Sequence, residues 1–108
     1  MISNDVQPEL PVLIQENRDN PAIVDTLTVV GILGKSEDAP LLYPFLESTN
    51  DYVIVGAAKS LIRLGDKNKA LVALVHLTDQ NPKEYLPYIT EALHILKEMQ
   101  YPQYRELL

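Results

Sequence analysis

The chain has no cysteine, no tryptophan and a single phenylalanine, Phe45, in 108 residues. Without cysteine, disulfides, thiolate metal sites and cysteine nucleophiles are excluded. Glycine is scarce too, at four residues, and none of them belongs to a phosphate-cradling loop, a nucleophile elbow or a GxGxxG run. Apolar runs are short: Ala70 to Val75 is among the longest and falls far below what a bilayer span needs. The segment Met1 to Pro8 lacks the cationic start and apolar stretch of a signal peptide. No membrane association is therefore expected, and a cytoplasmic location is the default.

Basic residues are also sparse where they would matter. The formal net charge is −6, and residues 1–51 hold nine acids against only Arg18 and Lys35. Binding to a phosphate backbone needs clustered Lys and Arg. The one cluster is Lys59, Arg63, Lys67 and Lys69, which flanks a predicted helix end, where cations complement the helix dipole. Nucleic acid is not an expected partner.

What the chain does contain is internal repetition. Val30-Gly31-Ile32-Leu33-Gly34 aligns with Leu61-Ile62-Arg63-Leu64-Gly65, and Ala39 to Leu46 aligns with Ala70 to Leu77, both at a shift of 31 residues. A third copy is expected with one extra residue, which sets Leu61 and Leu64 above Leu93 and Leu96. Backwards, Leu10 and Ile14 align with Leu41 and Phe45. The expected layout is one domain over 1–108, with a half-unit at 1–19, units at 20–49 and 50–80, and a partial unit at 81–108.

Each unit reads as two helices. Val24, Leu27, Val30 and Leu33 recur at helical spacing in the first, as do Ile54, Ala58, Leu61 and Leu64, then Tyr85, Ile89, Leu93 and Leu96. Asn20-Pro21 and Asn81-Pro82 offer a cap followed by a proline suited to a first helical position, and Asn50-Asp51 a cap alone. Gly34 and Gly65 are expected as left-handed stops, each followed by a polar turn and a second helix from Ala39 or Ala70. The acidic pair Glu37-Asp38 suits the start of that second helix. Pro44 and Pro87 fall inside predicted helices and imply kinks or late starts. Pro11 suits a first turn, and Gly56 in mid-helix implies close approach of a neighbouring helix. No stretch alternates with a period of two, so no strand is predicted.

The segment Gly56-Ala57-Ala58-Lys59-Ser60-Leu61-Ile62-Arg63-Leu64-Gly65-Asp66, with Ala70 after it, resembles the HEAT-like repeat of the phycobilisome-lyase type; Val29 to Lys35 resembles it again. The resemblance implies an all-α fold, a short right-handed αα-superhelix of about three helical-hairpin repeats. Family members often place an arginine early in the first helix to pair with an aspartate of the next repeat. Here the matching positions carry Ile23, Ile54 and Leu86, so apolar packing replaces that ladder. None of the matched residues is catalytic. The iron-binding His-Glu dipeptides of related enzymes are missing as well, since His76 and His94 precede Leu77 and Ile95.

No cofactor, metal or catalytic residue is expected. The expected function is a non-catalytic protein-protein interaction or scaffold module, because stacked hairpins present extended curved surfaces. The alternative is an accessory domain of a larger protein, with a small lyase or hydroxylase a distant third. The incomplete end units leave self-association open. The 31-residue register makes Leu10 and Ile14, Leu41 and Phe45, and Val72 and His76 equivalent positions on successive second helices, and the extra residue of the third copy adds Tyr104. They form the candidate protein-binding ridge, against the competing expectation that the same residues pack between units.

Overall fold

A computed structural model describes residues 9–100. Five α-helices and one long 3-10 segment make up the described chain: α1 (Leu10–Asn17), α2 (Ile23–Leu33), the 3-10 segment η1 (Ser36–Glu47), α3 (Asp51–Arg63), α4 (Lys67–Gln80) and α5 (Pro82–Gln100). No strand occurs among the described residues. The fold is all-α, and the molecule measures 48 × 38 × 20 Å.

The helix boundaries follow local chemistry. Pro11 occupies the first turn of α1, where its missing N–H costs nothing. The Asn20 side chain accepts from the Ala22 N–H at 2.9 Å in the turn before α2, and Asn50 caps α3 by accepting from the Tyr52 N–H at 2.9 Å. Gly65, at φ +94°, ends α3. The Asp66 N–H reaches the Leu61 carbonyl at 2.9 Å and the Gly65 N–H reaches that of Ile62 at 3.0 Å, the paired bonds of a Schellman stop.

Gly34 departs from the expected left-handed conformation, with φ −77° and ψ 173°. Its N–H closes α2 on the Val30 carbonyl at 2.8 Å, and the chain then leaves in extended form. The carboxylate of Asp38 accepts from the Lys35 N–H at 2.8 Å, so the acidic pair does serve the start of the next element.

That element, η1, is the main local surprise. Pro40 and Pro44 both lie within it. Each lacks the N–H that an α-helix would use, and each ring crowds the carbonyl four residues back. The tighter three-residue turn puts Ala39, Leu42 and Phe45 on one face, and all three are buried. In α4, with 3.6 residues per turn, the buried set is Ala70, Leu74 and Leu77. Two segments aligned by the 31-residue shift thus bury different positions because proline changes the helix type. Pro87 has no such effect, since α5 runs through it in its first two turns.

α3 lies at the centre, packed against α2, η1, α4 and α5. Nine of its thirteen residues are buried, as befits a helix with neighbours on most sides. α2 crosses it closely. A methyl group on Gly31 would lie 2.6 Å from Ser60 Oγ, and its nearest α3 main-chain atom would be Ser60 Cα at 2.9 Å. The Ser60 hydroxyl donates to the Leu27 carbonyl across this crossing at 2.6 Å. Gly56 does not play the same part: a methyl there would meet Val24 and Leu27 at 3.8 and 3.9 Å, ordinary contact distances.

Burial follows the 31-residue shift through the third helix without the extra residue that the sequence alignment inserts. Val30, Leu61 and Ala92 are all buried, and so are Ile23, Ile54 and Tyr85. Leu93, aligned with Leu61 on the expected register, is 52% exposed. The inward face of α5 is fixed by its contacts with α3 and α4, which select Tyr85, Ala92 and Ile95. On this register the third counterpart of Ile23 and Ile54 is Tyr85 rather than Leu86.

Candidate functional site

Where η1 and α4 lie side by side they leave an open groove of about 600 Å³. Tyr43, Leu46 and Glu47 supply one wall, and Asn68, Lys69, Val72, Ala73 and His76 the other. The walls are tied at one end. The Tyr43 hydroxyl donates to the Asp66 carboxylate, and the Lys69 ammonium stands over the Tyr43 ring, 5.0 Å from its centre. The bond to Asp66, then burial, then the Asp66 charge hold the Tyr43 phenol above its ordinary pKa. Tyr43 is therefore a fixed neutral wall at physiological pH.

The far wall is open. Val72 is 71% exposed, and His76, also exposed, approaches Gln80 one turn on, with 3.2 Å between His76 Nε2 and Gln80 Nε2. Ala73, with only a methyl group, leaves the space between the walls open. The groove thus offers apolar surface bordered by one carboxylate (Glu47), one ammonium (Lys69) and one imidazole (His76). Among the described residues that line it there is no serine, threonine or cysteine.

The residues proposed from sequence as one ridge divide. Val72 and His76 line the groove. Ile14 and Phe45 are buried, at 4% and 7% exposure, while Leu10 and Leu41 are half-buried against the core. The guanidinium of Arg18 covers the Phe45 ring, 5.6 Å from its centre. Tyr104 lies outside the described residues. Tyr43 and Leu46, which the ridge does not include, line the groove as well. Their part follows from the helix type of η1, which the alignment with α4 conceals.

A second set of polar contacts joins α3 to α5. The buried Tyr85 hydroxyl donates to Asp51 at 2.6 Å, the Tyr52 hydroxyl to Glu84 at 3.2 Å, and Lys59 pairs with Glu91 at 3.4 Å. The bond to Asp51, with burial and the nearby charge, pushes the Tyr85 phenol up to about 12. Tyr52 is raised in the same sense, first by its bond to Glu84.

Among the described residues no three His, Asp or Glu side chains gather as metal ligands. His94 has a carboxylate one turn away, Glu98 at 3.2 Å, at the i,i+4 spacing of a helix. No helix among the described residues is long and apolar enough to cross a membrane. No protein-family model matches the chain, and neither a curated protein nor a solved structure shows similarity to it.

Proposed function

We propose that this chain is a non-catalytic protein-interaction or scaffold module, a short right-handed solenoid of HEAT-like hairpins. The groove between η1 and α4 is its binding surface for a segment of a protein partner. The observation that carries this reading is the groove itself, in which exposed Val72 forms an apolar lip opposite the fixed ring of Tyr43. Exposed apolar surface gathered in a concavity is where protein and ligand contacts concentrate. The solenoid reading draws on the 31-residue recurrence of buried positions along α2, α3 and α5 and on the resemblance of Gly56 to Asp66 to the HEAT-like repeat. In this reading Val72 and His76 contact the partner, whereas Ile14 and Phe45 hold the units together.

Capture of binding proteins by the immobilised chain, run in parallel with a Val72→Glu variant, tests the proposal. Val72 is so exposed that the substitution leaves stability within about 0.5 kcal/mol. Partners held by the intact chain and lost by the variant would support the groove. Identical capture by both would overturn it.

A further inference from the structure

The three helices that share the 31-residue register also share a forward-facing stripe. On α2 it contains Val24 and Gly31, which meet Gly56 and Ser60 of α3. On α3 the stripe holds Val55 and Ile62, which are buried and are flanked on the same helical face by Tyr52 and Lys59, both bonded to α5. On α5 the equivalent residues are Leu86 and Leu93, which are 55% and 52% exposed. Among the described residues, α5 therefore presents to solvent the surface by which α2 and α3 each receive the following helix.

The complementary surface lies at the other end of the molecule. α3 meets α2 through Gly56 and Ser60, and the residues 31 positions earlier are Asp25 and Val29 on α2. Asp25 is exposed and Val29 half-buried, with Ile32 beside them 65% exposed. Charge agrees with this pairing. Residues 1–51 hold nine acids and two bases, whereas residues 52–108 hold six acids and seven bases. In that register Asp25, the counterpart of Gly56, stands at Leu86 and Ile89 of α5, one turn beyond the Lys83 ammonium.

We infer that the chain associates head to tail with a second copy of itself, the Leu86–Leu93 face of α5 receiving the Asp25–Ile32 face of the partner's α2. The contact is heterologous, so each added copy offers a fresh α5 face and growth does not stop at a dimer. The inference rests on the repeat register and is independent of the groove between η1 and α4.

The test uses the full chain and two variants, Leu93→Glu and Ile32→Glu, both at exposed positions and both checked for unchanged circular dichroism. Light scattering coupled to size-exclusion chromatography should show the unaltered chain rising past twice the monomer mass as concentration increases to millimolar. Each variant alone should remain monomeric, since every contact would then include one blocked face. Mixed in equal amounts, they should form a dimer and nothing larger, because one intact α5 face meets one intact α2 face. A Val72→Glu chain should assemble like the unaltered one. A chain that stays monomeric throughout, a variant that assembles alone, or a mixture that stays monomeric would each overturn the inference.

Discussion

At Gly31 and Gly56 the same residue type carries opposite consequences. A side chain at Gly31 collides with Ser60 at 2.6 Å, whereas one at Gly56 finds only ordinary contacts. Gly31→Ala should therefore destabilise by about 1–3 kcal/mol, since the α2–α3 crossing must widen. Gly56→Ala should instead stabilise by about 0.5–1 kcal/mol, because alanine is the better helix former. Urea denaturation of the two variants checks both signs. Gly65 and Gly34 form a second such pair: φ is +94° only at Gly65, so Gly65→Val should cost more than about 1 kcal/mol through backbone strain. Titration supplies another residue-scale expectation. Tyr85 has a folded pKa of about 12 against 10.0 for the free side chain. A raised folded value means that its contribution to stability is complete below pH 10 and is lost as pH rises towards 12. Denaturation midpoints taken across that range should fall, and they should fall less steeply in Tyr85→Phe. A midpoint with the same pH dependence in both chains would show that the bond to Asp51 does not link folding to pH. The caps and stops were the most legible single residues: Asn50, Pro11 and Gly65 act as their types and positions suggested. Gly34 was not, because nothing in its own neighbourhood distinguishes an extended exit from a left-handed one.

Among the elements, η1 explains most of what the sequence concealed. Aligning Ala39 to Leu46 with Ala70 to Leu77 is sound, but it assumes equal residues per turn. Pro40 and Pro44 break that equality, and a three-residue period rotates Phe45 onto the buried face while its counterpart His76 faces outward. Of the candidate ridge, Val72 and His76 are exposed, whereas Phe45 is buried, as in the competing expectation that these residues pack between units. Phe45→Ala should cost about 3–5 kcal/mol, the usual range for truncating a buried aromatic, and thermal or chemical denaturation will show it. An unchanged midpoint would mean that Phe45 is not packed, and would return it to the binding surface. The register of α5 was misread for a related reason. Leu93 and Leu96 look like better partners for Leu61 and Leu64 than Ala92 and Ile95 do, yet the close neighbours of α5 admit the smaller side chain at Ala92. Apolar identity alone gave the wrong phase by one residue, and one residue in a helix is a turn of 100°.

For the whole molecule, the all-α class and the 31-residue period were plain in the sequence, because buried positions at helical spacing recur in three helices. The groove was not, since it arises between two elements whose relative rotation depends on η1. α2 and α3 meet by direct backbone approach, through Gly31 and Ser60, in a register of burial that α5 continues. Nuclear Overhauser spectroscopy on the chain in solution tests this most directly. Cross-peaks are expected from the Gly31 α-protons to the β-protons of Ser60, and from the Gly56 α-protons to the methyl groups of Val24 and Leu27. Assigned, well-resolved spectra in which Gly31 and Ser60 show no such contact would contradict it.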